Sequence, residues 1–235
     1  MIRLAYGPEP DQYGQLWPGH RPPVVLIHGG YWRDRYDLSA IGALAADLHG
    51  RGYTVWNLEY RRLGSGGGWP ATFQDVTTGL DALAGLDGLP AGTDLSRVTL
   101  VGHSAGGHLA LWGSARTRLR PALVVSLAGV CDLGEAARLE LSDRATQLLL
   151  GGEPEQLPEI YRQADPVRLV PLGVRQLLVH GTADQHVPLA LSENYHAAAV
   201  RAGDDCTLWT LPEVDHFALV DPGSAAWAMV VDELP

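Results

Sequence analysis

The chain has 235 residues, 46% of them hydrophobic, which suits a single α/β domain with a substantial core. The formal net charge of -10 disfavours nucleic acid and anionic membranes as partners, because both require a cationic protein face. All 17 basic residues are arginine, which excludes a Walker A lysine, a Schiff-base lysine and a Ser–Lys dyad.

The chain carries no pattern typical of a secreted or membrane protein. Its N-terminal residues lack the apolar stretch of a signal peptide, and no apolar run approaches the ~20 residues of a membrane span. We therefore expect a cytoplasmic protein. Cys131 and Cys206 have neither C-x-x-C nor metal-ligand spacing, so we expect reduced, buried thiols. The sequence leaves the oligomeric state open between a monomer and a homodimer.

Strand and helix patterns alternate along the chain, which is typical of an α/β fold with a mostly parallel, twisted sheet of about eight strands and helices on both faces. The residues up to about Trp17 are predicted to form two short antiparallel edge strands. Further strands are predicted at 24–28, 53–58, 97–101, 123–128, 176–180 and 206–211. Helical spacing predicts helices at 38–48, 71–86, 105–114, 189–202 and 225–233.

We expect residues 1–235 to form one domain with a small cap. Between 133 and 165 the pattern breaks into short helices and turns, interrupted by Gly151, Gly152 and Pro154. The sequence therefore predicts that 133–165 is a cap segment over the functional site.

The clearest motif is Gly102-His103-Ser104-Ala105-Gly106, which lies between a predicted strand and a predicted helix and fits the G-x-S-x-G nucleophile elbow. A tight, strained turn lifts the serine hydroxyl clear of the backbone, and the helix that follows directs its positive N-terminal dipole at a developing oxyanion. A serine at such a turn can also be an ordinary helix cap. The strand–turn–helix context favours Ser104 as a nucleophile.

A second motif, His28-Gly29-Gly30-Tyr31-Trp32, follows the first long apolar strand and matches the H-G-G type of oxyanion loop. Glycines let such a loop turn so that backbone N–H groups point at a substrate oxygen. We predict the backbone of Gly30, Tyr31 and Ala105 as the oxyanion donors. His28 is expected to shape the loop by hydrogen bonding rather than to transfer protons.

An acid and a histidine must follow the serine in that chain order. Asp184 lies in a loop directly after one predicted strand, and His216 follows the last strand. Both should therefore lie with Ser104 at the edge of the sheet where parallel strands end. We predict His216 as the base that takes the serine proton, and Asp184 as the carboxylate that fixes its tautomer.

Other residues could fill these roles. Asp132 also follows a strand and could be the acid in a variant layout, and His186 could replace His216 although it lies on the acid's own loop. Asp215 adjoins His216 in the sequence and cannot easily fold back onto the same ring. A zinc site built from His28, His103 and His180 is a further alternative, but no close ligand pair supports it, so we expect no metal and no cofactor.

At these positions the chain resembles kynurenine formamidases and related esterase/lipase-like α/β-hydrolases. Residues 28–32 look like their H-G-G-x-W motif, and residues 102–108 are similar to their elbow. Tyr60-Arg61 resembles a "Y-R" segment after the fourth strand, and Trp69-Pro70 with Asp75 resembles the segment before the elbow helix. The resemblance runs from about Tyr6 to Phe217.

This resemblance implies a formamidase or short-chain carboxylesterase that acts on a small-molecule ester or amide through an acyl-enzyme on Ser104, without a cofactor. The walls of the substrate pocket are predicted to include Tyr31, Trp32, Trp69 and Phe217. An acyl-peptidase-like hydrolase is one alternative, although 235 residues leave no room for the extra propeller that such enzymes usually carry. Another is a non-catalytic binding protein, which typically lacks one triad residue. A haloperoxidase-type side activity is also left open.

Overall fold

The computed structural model describes residues 1–235 and contains one sheet of eight strands. The strands are β1 (Ile2–Ala5), β2 (Tyr13–Trp17), β3 (Arg21–Ile27), β4 (Tyr53–Leu58), β5 (Thr99–His103), β6 (Leu123–Leu127), β7 (Arg175–Gly181) and β8 (Cys206–Leu211). Their order across the sheet is β1-β2-β4-β3-β5-β6-β7-β8. β2 pairs antiparallel with β1 and β4, and every other neighbouring pair is parallel. The predicted sheet, including its two antiparallel edge strands, is confirmed.

Helices cover both faces of the sheet. They are α1 (Gly42–Gly50), α2 (Ala71–Ala82), α3 (Ala105–Ser114), α4 (Leu133–Arg138), α5 (Leu141–Leu150), α6 (Pro158–Ala164), α7 (Leu189–Ala202) and α8 (Ala225–Asp232). Side chains of α1 and α8, such as Leu44 and Trp227, belong to one buried cluster. Side chains of α2, α3 and α7, such as Phe73, Leu109 and Tyr195, belong to another.

The strands show why these two clusters form. Along β3, Val24 and Leu26 join the cluster of α1 and α8, whereas Val25 and Ile27 join the cluster of α2 and α3. Successive side chains of a strand point to opposite faces, so a continuous apolar run fills both layers at once. The central strands are therefore buried on both sides, and polar residues collect at their ends.

Some boundaries differ from the predicted ones for local reasons. β5 begins at Thr99 because Leu95–Arg97 forms a 3-10 turn, in which the Asp94 carboxylate accepts the Ser96 N–H at 3.0 Å. α2 ends at Ala82 and continues as a 3-10 turn over Leu83–Gly85. Such short turns at element ends are common and carry no strong sequence signal.

Residues 133–165 connect β6 to β7 through α4, α5 and α6. Ser142, Asp143 and Arg144 at the start of α5 have φ of 50, 52 and 60°, in the left-handed region. Left-handed backbone costs roughly 1–2 kcal/mol for each residue with a side chain. The segment packs on the domain through buried residues such as Leu149 and Tyr161.

No helix of this protein is both long and apolar enough to cross a bilayer. Both cysteines are free thiols, Cys131 buried and Cys206 half-buried.

Candidate active site

Ser104 lies between β5 and α3 with φ 56° and ψ -121°, a conformation that a residue with a side chain rarely adopts. Hydrogen bonds with residues at the end of β6 and just after it help to hold it there. The Ser104 N–H donates to the carbonyl of Leu127 at 2.8 Å, and the Val130 N–H donates to the carbonyl of Ser104 at 3.2 Å. The surrounding strands therefore impose the strained turn, as is found at functional sites.

The two flanking glycines have a steric cause. A Cβ on Gly102 would lie 2.0 Å from the carbonyl oxygen of Gly106, and a Cβ on Gly106 would lie 2.0 Å from the carbonyl oxygen of Ile27. Both positions thus exclude any side chain, because the elbow presses α3 against β3 and β5.

Asp184 and His216 meet beside this turn. His216 donates from Nδ1 to Asp184 Oδ2 at 2.6 Å. The other oxygen, Oδ1, accepts the backbone N–H groups of His186 at 2.8 Å and Val187 at 2.9 Å. The Nε2 atom of the buried His180 lies 3.3 Å from Asp184 Oδ2. The carboxylate therefore has a donor on every side.

These contacts fix the charge of the site. Burial alone would raise the pKa of Asp184, but the hydrogen bonds from His180 and His216 outweigh it and hold that pKa far below its usual range. Asp184 is thus an anion, which orients His216 with its proton on Nδ1 and leaves Nε2 as an acceptor. Burial and the nearby His216 lower the pKa of His103 to about 3, so His103 stays neutral.

The Ser104 hydroxyl and the His216 ring both open onto one cavity of about 450 Å³. Its lining residues are Gly29, Gly30, Tyr31, Arg35, Tyr36, Ala40, His103, Ser104, Leu141, Ser142, Gln185, His186, His216, Phe217 and Val220. This volume lies in the range of small-molecule sites, ~300–1,000 Å³. The hydroxyl of Ser104 forms no hydrogen bond with another protein group, as is common before substrate tightens such a site.

The predicted oxyanion loop borders the same cavity. Gly30 and Tyr31 have φ of 106 and 50°, and this backbone turns their amides out of any sheet or helix. Neither amide donates a hydrogen bond within the protein. Ala105 is the first residue of α3, where no preceding turn supplies an acceptor for its N–H. The three predicted donors thus lie around Ser104 with their N–H groups available.

A buried histidine–glutamate pair supports the oxyanion loop. Ile27 and Leu58 are paired at the ends of β3 and β4, so the next residues, His28 and Glu59, meet. His28 Nε2 lies 2.9 Å from Glu59 Oε1, and His28 Nδ1 lies 2.8 Å from the carbonyl of Gly29. Both side chains are fully buried. His28 therefore makes hydrogen bonds of the kind expected of a residue that shapes the loop. The sequence analysis did not identify Glu59 as its partner.

Two predicted pocket walls are wrong. Trp32 is fully buried in the core and packs edge-on against His108, because its φ of 56° turns the side chain away from the cavity. Trp69 packs against Phe73 on α2 and does not line the cavity. Phe217 does line it and is 59% exposed, and Tyr31 forms its rim.

The alternative residues have other partners. Asp132 caps α4 by accepting the Glu135 N–H at 2.9 Å, and Asp215 accepts the Phe217 N–H at 2.9 Å. His186 lines the cavity, with its ring centroid 5.2 Å from that of His216. Its backbone, rather than its ring, contacts Asp184.

The three histidines considered for zinc lie in separate environments. His28 contacts Glu59, His103 donates to the carbonyl of His216 at 3.0 Å, and His180 Nδ1 lies 2.8 Å from Ser192 Oγ. No group of three or more His, Cys, Asp or Glu side chains is arranged to hold a metal ion.

The sequence is similar to a known protein family and to a known protein. A model of the BD-FAE family matches residues 17–198. The "Kynurenine formamidase" of Drosophila melanogaster is 29% identical over 140 residues, which are 54% of this chain. The match covers 43% of that relative, so the chain spans less than half of its length.

Solved structures share the fold over nearly the whole chain. A truncated carbohydrate esterase from gut microbiota has a TM-score of 0.81 at 18% identity and covers 99% of this chain and 93% of that one. Esterase B from Lactobacillus rhamnosis has a TM-score of 0.80 at 23% identity, with 99% and 85% covered. A thermophilic esterase from Thermogutta terrifontis, with propionate bound, has a TM-score of 0.75 at 17% identity, with 98% and 90% covered.

The sheet order and the elbow between β5 and α3, together with these structural likenesses, define an α/β-hydrolase fold. Since the family model covers residues 17–198, the chain belongs to the BD-FAE family.

Proposed function

We propose that this protein is a serine hydrolase that cleaves a small ester or amide through an acyl-enzyme on Ser104. One observation carries the proposal. The strained Ser104 and the Asp184-bound His216 open onto the same cavity, and Nδ1 of His216 is already engaged. Nε2 is then the ring nitrogen that remains free to act as the base.

The first half of the reaction forms the acyl-enzyme. Ser104 Oγ attacks the substrate carbonyl carbon while His216 Nε2 takes the hydroxyl proton. Asp184 stabilises the imidazolium that results but does not itself take a proton. The carbonyl oxygen becomes an oxyanion, which the N–H groups of Gly30, Tyr31 and Ala105 receive. The imidazolium then returns its proton to the leaving alcohol or amine.

The second half regenerates the enzyme by the same groups. His216 takes a proton from a water molecule, whose oxygen attacks the acyl carbon, and the same N–H groups receive the new oxyanion. Collapse releases the acid and returns the proton to Ser104 Oγ. Losing one oxyanion donor in such a site costs about 3 kcal/mol of transition-state stabilisation.

The substrate class proposed is a formamide or a short-chain ester. The formamidase arm is supported by the similarity to the Drosophila melanogaster protein over 54% of the chain. The aromatic rim of Tyr31, Tyr36 and Phe217 suits an aromatic leaving group. The ester arm is supported by the shared fold of the esterases above.

The test compares wild type with Ser104→Ala on N-formyl-L-kynurenine and on a p-nitrophenyl ester series of increasing acyl length. Ser114→Ala is a matched control, because Ser114 lies at the far end of α3 and does not line the cavity. Formamide turnover that is lost only in Ser104→Ala supports a formamidase, and ester turnover alone supports a carboxylesterase. Equal turnover in Ser104→Ala and wild type would contradict the proposal, and no turnover by wild type would favour a binding protein.

A further inference from the structure

The catalytic cavity differs in charge from the rest of the protein. The chain has 27 acidic residues and a net charge of -10. None of the 15 residues that line the cavity is Asp or Glu, whereas one is a cation, Arg35. A substrate that approaches Ser104 therefore meets a positive side chain with no acidic side chain beside it in the wall.

Arg35 has no partner within the protein. Arg35 is exposed at the cavity mouth, its guanidinium forms neither an ion pair nor a hydrogen bond within the protein, and its Cζ lies 5.0 Å from the centroid of the Tyr36 ring. By contrast, two nearby arginines have partners. Arg33 donates to the carbonyl of Ser142, and Arg62 donates to the carboxylate of Asp11. An arginine fork that faces a cavity unpaired is suited to a carboxylate, which it can bind through two parallel hydrogen bonds.

The backbone that carries Arg35 is held in place. The buried Arg62 donates to the carbonyl of Tyr36, and the Asp37 carboxylate accepts the Ser39 N–H at 2.8 Å. The Tyr36 ring packs against Gly30, where a Cβ would lie 2.6 Å from it. Arg35 is thus presented from a fixed loop that contacts the oxyanion loop.

The neighbouring carboxylates are directed elsewhere. Asp37 accepts from the backbone and hydroxyl of Ser39. Asp34 lies against Gly64, outside the cavity wall. Asp184 is buried behind His216, which occupies one of its oxygens. Asp34 shares a separate surface depression with Arg35, but no protein carboxylate forms an ion pair with Arg35 or lines the catalytic cavity beside it.

We propose that Arg35 binds a carboxylate of the substrate, so that the preferred ester or amide is anionic. This inference rests on the proposed hydrolysis at Ser104 and specifies its substrate class. The carboxylate pairs with the guanidinium at the cavity mouth while the scissile carbonyl lies at Ser104. Arg35 is a specificity residue, and it does not contact the reacting atoms.

Two matched substrate pairs test the proposal. On the leaving-group side, para-acetoxybenzoate is compared with neutral para-acetoxybenzamide. On the acyl side, p-nitrophenyl hemiadipate is compared with neutral p-nitrophenyl hexanoate. The measured quantity is the ratio of kcat/KM for the anionic and the neutral member of each pair, in wild type, Arg35→Gln and Arg97→Gln.

Arg97 is the control for net charge, because it is exposed and unpaired at the start of β5, the end of that strand opposite to Ser104. We expect the anionic-to-neutral ratio to fall about tenfold in Arg35→Gln for at least one pair, mainly through KM, and to keep its wild-type value in Arg97→Gln. Arg35→Lys should give an intermediate ratio, because lysine keeps the charge without the fork.

Two results would overturn the assignment of Arg35. One is an unchanged ratio in Arg35→Gln for both pairs, and the other is an equal fall in Arg97→Gln. If the Ser104→Ala variant hydrolyses all four esters like wild type, the proposed function fails instead, so the two failures are distinguishable.

Discussion

Two of the histidine–carboxylate pairs at this edge of the sheet, His28–Glu59 and His216–Asp184, differ in which ring nitrogens remain free. His28 and Glu59 follow β3 and β4, are fully buried, and use both ring nitrogens within the protein. His216 and Asp184 follow β8 and β7, and only Nδ1 of the His216 ring is bound. The His216 ring also lines the cavity.

The two pairs show how a structural histidine differs from one that can act as a base. A histidine whose two ring nitrogens both contact oxygen atoms of the protein has no nitrogen left free for a substrate. His28 has a structural role of this kind, because its ring binds the carbonyl of Gly29 in the oxyanion loop. A ring with one nitrogen held and the other facing a cavity can exchange protons with substrate. The His28–Glu59 pair therefore has a structural role, and we propose a chemical role for the His216–Asp184 pair.

The largest effect expected is the loss of chemistry in His216→Gln. We expect kcat on the best p-nitrophenyl ester to fall by a factor on the order of 10⁶, because residues of a triad act as a unit. The free energy of unfolding should also fall, by about 2 kcal/mol, because the Asp184 carboxylate loses its hydrogen bond from His216 Nδ1. Steady-state kinetics and urea unfolding measure both quantities, and a kcat near wild type would remove His216 from the mechanism.

Next in size is Asp184→Asn, which keeps the shape of the carboxylate but not its charge. The amide can present N–H to His216 Nδ1 and so favour the wrong tautomer, which costs about 10⁴ in kcat in a comparable site. The matched control is Asp205→Asn, because Asp205 is exposed on the loop before β8. A fall of less than about tenfold, ~1.4 kcal/mol, would show that Asp184 does not orient the base.

The same variant has a signature in the pH dependence of stability. Because the folded pKa of Asp184 is depressed, its contribution to stability is fully present above the unfolded pKa of about 3.9. The contribution is lost as the pH falls from there towards the lower folded pKa. Urea unfolding at several pH values should therefore show a weaker acid loss in Asp184→Asn than in wild type. Identical acid profiles would contradict the strong hydrogen bonding of this carboxylate.

The scaffold pair should respond in stability. In Glu59→Gln the buried His28 ring loses its anionic partner, and we expect a loss of about 3 kcal/mol in the free energy of unfolding. Glu159→Gln is the matched control, because its pair with Arg162 is exposed and should contribute at most about 1 kcal/mol. Chemical unfolding measures both variants. If Glu59→Gln costs no more than Glu159→Gln, the buried pair does not support the loop.

A smaller effect on rate is expected from Gly29→Ala. A Cβ there would lie 2.8 Å from the carbonyl oxygen of His103 and 2.9 Å from Cβ of Ser104, so the oxyanion loop must shift. A displacement of this kind can lower kcat about 10²-fold. Gly50→Ala is the control, since a Cβ there meets nothing within 4 Å. Unchanged kcat in Gly29→Ala would show that the loop position is not critical.

The smallest effect is expected at the rim. Burial and Asp184 raise the pKa of Tyr31 to about 12, so its hydroxyl stays protonated and donates to the carbonyl of His186 at 2.5 Å. Tyr31→Phe should cost about 1 kcal/mol of stability and change kcat only severalfold, because the proposed oxyanion donor is the backbone N–H. Tyr53→Phe, whose hydroxyl is buried without a partner, should cost nothing. A large loss of kcat in Tyr31→Phe would place the hydroxyl in the chemistry.

Much of this arrangement could be predicted from the sequence, because each predicted chemical residue directly follows a strand. Ser104, Asp184 and His216 lie after β5, β7 and β8, whose apolar runs are clear, and parallel strands bring their carboxyl ends to one edge. The bounds of β4, α3, α7 and β8 agree with the predicted ranges for the same reason. The chemistry assigned to those residues is still a prediction that the experiments above test.

What the sequence could not reveal depends on register and on backbone turns. Glu59 meets His28 only because Ile27 pairs with Leu58, and strand register leaves no signal in a single apolar run. The motif predicts Trp32 as a pocket residue, but its backbone has a positive φ and its side chain is buried in the core. Arg35 lies in a polar loop like many others, and only the structure shows that it lines the cavity of Ser104, whose wall contains no acidic side chain.

The most direct test of the central claim is to trap the acyl-enzyme and locate it. Wild type and His216→Gln are mixed with p-nitrophenyl acetate, quenched rapidly in acid and digested, and the acetylated peptide is identified by mass spectrometry. The account predicts one acetyl group on Ser104 in wild type and none in His216→Gln over the same time. An acetyl group on another residue, or equal acetylation of Ser104 in both proteins, would contradict it.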